Sequence, residues 1–292
     1  MARIAIIGGG SIGEALLSGL LRAGRQVKDL VVAERMPDRA KYLSSAYGVL
    51  VVTSIRDAAE NASFVVVAVK PLDVEAVVEE LANAVADADS DSVEQVFVTV
   101  AAGITLTLFE SKLPAGTPVV RAMPNAAALV GAGVTALAKG RFVTPEQLTE
   151  VSALFDAVGG VLTVPEEQLD AVTAVSGSGP AYFFLLVEAL VDAGVGVGLS
   201  RQVATDLAAQ TMAGSAAMLL ERMDGERKPV DGEPIGLRVD ASAAQLRASV
   251  TSPGGTTAAA LRALEQGGFR ATVDAAVQAA KNRSEQLRIT SE

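Results

Sequence analysis

The sequence predicts an α/β protein in two parts, a doubly wound and mostly parallel sheet over residues 1–164 and an all-helical segment over residues 165–292. Three observations carry that expectation. The apolar run Ile4 to Ile7 leads into Gly8, Gly10 and Gly13 and then into a helical pattern. Short β-branched runs alternate with helical stretches as far as Val164, the signature of a parallel sheet with crossover helices. Beyond Val164 the strand-like runs stop, and helical periodicity continues to Leu287. A chain of 292 residues also sits at the length where one hydrophobic core gives way to two.

The first unit begins with its most informative stretch. Ile4 to Ile7 reads as a strand buried on both faces. Gly8, Gly10 and Gly13 follow at G-x-G-x-x-G spacing around Ser11 and Ile12, and Glu14 to Leu21 carries Leu16, Leu17, Leu20 and Leu21 along one helix face. Strand, glycine turn and helix in that order are the context of a dinucleotide-binding Rossmann turn. Gly8 permits the tight turn, Gly10 lets backbone approach a pyrophosphate, and Gly13 lets the helix lie close on the strand. The free N–H groups and positive dipole end of the helix favour the phosphates. The bland alternative is an ordinary glycine-rich turn between a strand and a helix.

Further strands are expected at Leu30 to Ala33, Val49 to Val52, Phe64 to Val69, Val96 to Val100 and Pro118 to Ala122. Two more, Val134 to Ala138 and Gly160 to Val164, flank a helix from Pro145 to Val158. Asp57 to Asn61 is a short helical link, Val74 to Val85 a helix begun by Pro71, and Asp87 to Glu94 a polar surface loop. Glu34-Arg35 closes the second strand, where such a fold meets the adenosine ribose. A carboxylate there suits the free 2′-OH of NAD, and a guanidinium the 2′-phosphate of NADP. Because Arg35 can clamp a phosphate bidentately while Glu34 turns away, NADPH is the expected cofactor, with NADH as the alternative. The small side chains of Ala101-Ala102-Gly103 leave room for a flat ring.

In the second half, Pro165-Glu166-Glu167 starts a helix, Ser176-Gly177-Ser178-Gly179-Pro180 interrupts it, and Ala181 to Ala193 resumes it. Nearly all of Tyr182 to Val187 is apolar, too much for one helix face, so a partner subunit is expected to cover this helix. Ser200 to Leu220 is another helix, and Asp224 to Asp240, polar with two prolines, reads as an exposed loop or insertion. Val250-Thr251-Ser252-Pro253-Gly254-Gly255-Thr256-Thr257 then precedes a helix from Ala258 to Glu265 that stops at Gly267-Gly268. A sharp turn with hydroxyl residues at a helix N-cap makes a second anion site, suited to a small carboxylate, with simple helix capping as the alternative.

Composition narrows the chemistry. A formal charge of −10 argues against nucleic acid as a partner. There is no cysteine, hence no disulfide framework or thiol chemistry, and no histidine, which removes the commonest general base and metal ligand. No metal site is expected. Ile4 to Ile7 is too short for a signal-peptide core. The uncharged stretches Ala122 to Ala138 and Ala171 to Val187 are broken by Gly, Pro, Ser or Asn and fall short of the ~20 apolar residues of a membrane span. A cytoplasmic protein is expected.

Several motifs together resemble one family. Ile6-Ile7-Gly8-Gly9-Gly10-Ser11-Ile12-Gly13, Ala68-Val69-Lys70-Pro71, Ala101-Ala102-Gly103-Ile104 and Arg121-Ala122-Met123-Pro124-Asn125 point to it. Ser176-Gly177-Ser178-Gly179-Pro180-Ala181-Tyr182 and Thr251-Ser252-Pro253-Gly254-Gly255-Thr256-Thr257 are far more specific. Over nearly its full length the chain resembles the pyrroline-5-carboxylate reductases, the last enzymes of proline synthesis. The resemblance implies a Rossmann domain followed by a helical dimerisation domain, in a homodimer often built into a decamer. It also implies reduction of the C=N bond of L-1-pyrroline-5-carboxylate to L-proline by NAD(P)H. Carried over, Gly8 to Gly13 hold the pyrophosphate, and Glu34-Arg35 lie at the ribose. Val69, Lys70, Pro71, Ala101 and Ala102 follow the cofactor towards its nicotinamide. Val250, Ser252, Gly254, Gly255, Thr256 and Thr257 receive the substrate, reaching it from the neighbouring subunit. From the chemistry of the loop, Thr257 is expected to donate to or orient the ring nitrogen, and backbone N–H groups of Gly254 to Thr257 to take the carboxylate.

That chemistry fits a histidine-free chain, because a protonated cyclic imine is already an electrophile and needs positioning more than a strong acid. Two departures from the family pattern are Ser242-Ala243, where a His-Pro-like pair is usual, and the long segment Asp224 to Asp240. The competing readings are a related imine or β-hydroxyacid reductase and a non-catalytic NAD(P)-binding regulator. The absence of lysine from Asp170 to Ala193 counts against a β-hydroxyacid enzyme, and the intact loop at Ser252 to Thr257 against a regulator.

Overall fold

The computed structural model describes residues 2–87, 94–227 and 242–288. It divides into two compact units, Met1–Pro180 with Val277–Glu292, and Ala181–Ala276.

The first unit is built on strands β1 (Ile4–Ile7), β2 (Leu30–Ala33), β3 (Leu50–Val52), β4 (Phe64–Val67), β5 (Val96–Thr99), β6 (Val119–Met123), β7 (Gly133–Lys139) and β8 (Gly159–Thr163). They form one sheet in the order β3-β2-β1-β4-β5-β6-β7-β8. The alternation of a strand explains how runs with no polar residue are used. In β1, Ile4 and Ile6 join one hydrophobic cluster, and Ala5 and Ile7 join the other on the opposite face. Phe64 and Val66 pair with them on the first face, Val65 and Val67 on the second. Helices α1 (Ser11–Arg22), α2 (Pro37–Tyr47) and α6 (Pro145–Asp156) cover the first face. The second is covered by α3 (Ile55–Ala59), α4 (Pro71–Ala86), α5 (Leu106–Lys112) and α7 (Leu169–Val172).

β1 lies between β2 and β4, so the chain winds away from it in both directions. Ligands of such sheets bind outside the carboxyl ends of the strands at this switch point. Gly8–Gly13, Glu34-Arg35, Ala68–Pro71 and Ala101–Gly103 follow the carboxyl ends of β1, β2, β4 and β5, and therefore lie along one edge.

Within this mostly parallel sheet β7 runs antiparallel to β6, because only a short 3-10 turn at Ala126–Val130 joins them, too little chain for a parallel crossover. Other expectations need correction. α2 and α5 were not expected; α2 is mostly polar and buries only Leu43, so its periodicity is faint. Ser176 to Pro180 does not interrupt the helix. Thr173–Gly177 forms a π turn, with the Ser178 N–H donating to the Thr173 carbonyl at 2.8 Å, and α8 (Gly179–Gly196) continues from it. The wider turn accommodates Pro180, which lacks the N–H an α-helical ladder would require. The continuous stretch Glu166–Gly196 is consequently long and apolar enough, at a mean hydropathy of 1.5, to pass for a membrane span by length and composition.

The second unit holds most of α8, α9 (Arg201–Arg227), α10 (Ser242–Ser249), α11 (Thr256–Gln266) and the start of α12 (Phe269–Gln286). Its internal apolar core is small, Val191, Ala204 and Ala208 with Val187 against them. Phe183, Phe184 and Leu185 are 57, 65 and 66% exposed in the single chain. The helix expected to be buried on all sides is therefore uncovered within its own subunit. α9 runs to Arg227, so the expected loop from Asp224 begins as helix, and its remainder, 228–240, lies outside the described residues.

Candidate active site

The glycine turn has the strain and the openness a phosphate site needs. Gly8 has φ +106°, and a Cβ there would meet the Ala68 carbonyl oxygen at 2.7 Å. A Cβ on Gly13 would run into the backbone of Gly8, whereas one on Gly10 would meet nothing within 4 Å. Gly10 caps α1 with no side-chain hydrogen bond, so the N–H groups of Ser11, Ile12 and Gly13 start a helix above open space.

Glu34 is 9% exposed, and both its oxygens are engaged by backbone. Oε2 accepts from the Gly9 N–H at 2.9 Å and Oε1 from the Met36 N–H at 2.8 Å. The carboxylate thus ties the end of β2 to the middle of the glycine turn. Arg39 adds a second tie, donating from Nε to the Gly9 carbonyl at 2.6 Å and from Nη2 to Glu14. Glu14 also accepts from Tyr42 at 3.0 Å and Tyr47 at 2.8 Å. Burial raises the Glu14 carboxyl, but the hydrogen bonds from Arg39, Tyr47 and Tyr42 outweigh it and hold the group below its usual range. Burial and the Glu14 carboxylate push the Tyr47 phenol up to about 12. Sequence reasoning missed Arg39, Tyr42 and Tyr47 because all three stand on α2, whose polar sequence gave no helical signal.

Arg35 is free of that cluster. Its side chain is 74% exposed and reaches Asp73, on α4, at 3.2 Å. Lys70 is exposed and caps α4, with Pro71 in the first turn and Val69 half-buried beside it. Ala101 is buried, its N–H donating to Thr99 Oγ1 at 3.3 Å, while Ala102 is exposed. Gly103 follows at φ +76°.

The second constellation lies in the other unit. Gly254 turns the chain at φ +71°, and the Gly255 N–H donates back to the Ser252 carbonyl at 3.1 Å. Gly255, not a hydroxyl residue, is the N-cap of α11, and no side chain caps it. Thr256 and Thr257 are therefore the first two helical residues, a correction to their expected place at the cap. With the Gly255 N–H turned inward, the N–H groups of Thr256, Thr257 and Ala258 lack the helical partner that Ala259 finds in the Gly255 carbonyl. Val250, Ser252, Gly254 and Thr256 are exposed, and Gly255 and Thr257 are half-buried.

A doubly wound sheet with this glycine turn at its switch point, in one chain with a helical unit, is the plan of a nicotinamide-nucleotide-dependent oxidoreductase. Residues 166–287 match the family profile described as pyrroline-5-carboxylate reductase dimerisation. Residues 3–103 match that of the F420-dependent NADP oxidoreductases. A pyrroline-5-carboxylate reductase of Mycobacterium tuberculosis is 84% identical over 292 residues, 100% of this chain and 99% of its own. Among solved structures, a pyrroline-5-carboxylate reductase from Coxiella burnetii superposes with a TM-score of 0.86 at 35% identity, covering 99% of both chains. The Plasmodium falciparum pyrroline carboxylate reductase with NADP bound gives 0.79 at 27% identity, covering 99% of this chain and 98% of its own. The chain belongs to the pyrroline-5-carboxylate reductase family. Its helical segment is the dimerisation domain of that family.

Proposed function

We propose that this chain reduces the C=N bond of L-1-pyrroline-5-carboxylate to L-proline with NADPH in the cytoplasm, as a homodimer that assembles further into a decamer. Residues 1–164 carry the cofactor, and residues 165–292 the dimer contact and the substrate. The observation that carries the reading is the intact loop at Ser252 to Thr257 opening a helix, together with the open glycine turn. NADPH, when bound, supplies the hydride. Gly8, Gly10, Ser11, Ile12 and Gly13 hold its pyrophosphate. Arg35 leaves Asp73 for the 2′-phosphate, while Glu34 keeps the turn in shape at the ribose. Val69, Lys70, Pro71, Ala101 and Ala102 line the path to the nicotinamide.

First-turn N–H groups at Thr256 and Thr257 bind the substrate carboxylate beside Gly254 and Gly255. Val250 and Ser252 flank them. The Thr257 hydroxyl orients the ring nitrogen. The imine arrives protonated, so hydride addition to its carbon turns C=N–H⁺ into CH–N–H with no further proton needed in that step. The neutral amine then takes a proton from solvent. Steady-state oxidation of NADPH and of NADH with the substrate tests the reading. Turnover with both and a preference for NADPH is expected; no oxidation with either refutes it.

A further inference from the structure

Glu34 and Asp170 are the two buried carboxylates among the described residues, and the site above uses only the first. Asp170 is 1% exposed. Its Oδ1 accepts from Ser284 Oγ at 2.6 Å and its Oδ2 from Arg288 Nε at 2.7 Å. Both donors stand at the end of α12 and just beyond it, over a hundred positions away in sequence. Between them, the carbonyl oxygen of Leu287 lies against Gly103, where a Cβ would meet it at 2.6 Å. The positive φ of Gly103 and this close approach both require glycine. Four residues before Asp170, Glu166 accepts from the Leu106 N–H at 2.8 Å and from Arg121 at 3.0 Å. The loop that follows β5 is thus held at Gly103 by the segment that follows α12 and at Leu106 by Glu166.

We propose that Asp170, through Ser284 and Arg288, is a positioning residue that sets the Ala101–Gly103 loop for hydride transfer, making the last turn of α12 and the residues just after it part of the catalytic apparatus. The inference rests on the reading that Ala101 and Ala102 lie beside the nicotinamide. The cluster is well suited to rigidity. Burial raises the Asp170 carboxyl, but Ser284, Arg288 and the nearby Arg121 charge overcome it and keep the group ionised. Two carboxylates and two guanidiniums, those of Arg121 and Arg288, leave it without net charge. A loop released at one end shifts the ring it packs against, and small displacements of reacting atoms are costly in rate.

The test uses full-length Arg288→Ala, Ser284→Ala and Arg288→Lys. It measures kcat, KM for NADPH, and the Kd of 2′-phospho-ADP-ribose, which lacks the nicotinamide. Arg288→Ala is expected to lower kcat about tenfold, with Ser284→Ala following in the same direction and Arg288→Lys recovering part of the loss. The Kd of the fragment should stay within about twofold of the parent value. Should Arg288→Ala not fold, the milder Ser284→Ala decides. A kcat within about twofold of the parent, or a fragment affinity that falls in parallel with kcat, overturns the inference. Ala101→Val separates this from the underlying reading. It should weaken NADPH but not the fragment; if NADPH binding is untouched, the placement of the nicotinamide fails and the inference falls with it.

Discussion

Replacing Glu34 with alanine should loosen the free enzyme before any cofactor is added. The carboxylate is buried and accepts two backbone N–H groups, from Gly9 at 2.9 Å and Met36 at 2.8 Å. Hydrogen bonds to a charged partner contribute roughly 1.5–3 kcal/mol each, so losing both corresponds to about 3–6 kcal/mol. For a chain of this size that lowers the first melting transition by on the order of 10 °C. Glu34→Gln should recover less than half of the loss, because an amide presents an NH₂ to one of the two N–H donors. The assay is thermal unfolding followed by circular dichroism, with and without NADP⁺. The contrary reading makes Glu34 chiefly a ligand for a ribose hydroxyl. It requires the free protein to melt within about 2 °C of the parent while only NADH binding weakens. That result would refute the reasoning.

Three further outcomes follow from the geometry. Thr257→Ala should lower kcat about a hundredfold while the Kd of NADP⁺ is unchanged, and Thr257→Ser should keep most of the rate; unaltered turnover removes the hydroxyl from the mechanism. Arg35→Ala should raise the KM for NADPH on the order of tenfold or more and leave that for NADH within about twofold, measured by initial rates. Tyr47 should ionise near 12 in an ultraviolet titration. Tyr47→Phe should remove that step and Glu14→Gln should lower it. Because the folded-state value is raised above the ordinary 10.0, the stability this phenol contributes is fully present below pH 10 and lost as pH rises through about 12.

Much of the sheet was legible because a strand buried on both faces leaves an unmistakable mark. Ile4 to Ile7, Leu30 to Ala33 and Phe64 to Val67 are apolar throughout and are buried throughout. The glycine turn was legible for a different reason, since Gly8 and Gly13 answer to backbone sterics that no other residue satisfies. What escaped depended on contacts distant in sequence. The role of Glu34 is set by Gly9, and Arg39 reaches the turn from a helix with a single buried side chain. The π turn at Thr173–Gly177 reads in sequence as a break, because glycine, serine and proline signal the same thing whether a helix stops or widens. At the second loop, the N-cap fell on Gly255 and not on a threonine because Gly255 is the last extended residue and its carbonyl accepts the first helical bond, from the Ala259 N–H at 3.1 Å.

The reaction itself is tested most directly by following the transferred atom. The full-length enzyme would be incubated with L-1-pyrroline-5-carboxylate and NADPH carrying deuterium at the transferable position of the nicotinamide, and the proline formed weighed by mass spectrometry. Proline with one deuterium on the former imine carbon is expected, with Thr257→Ala forming it far more slowly. Absence of proline, or proline without the label, would contradict direct hydride transfer to the C=N bond.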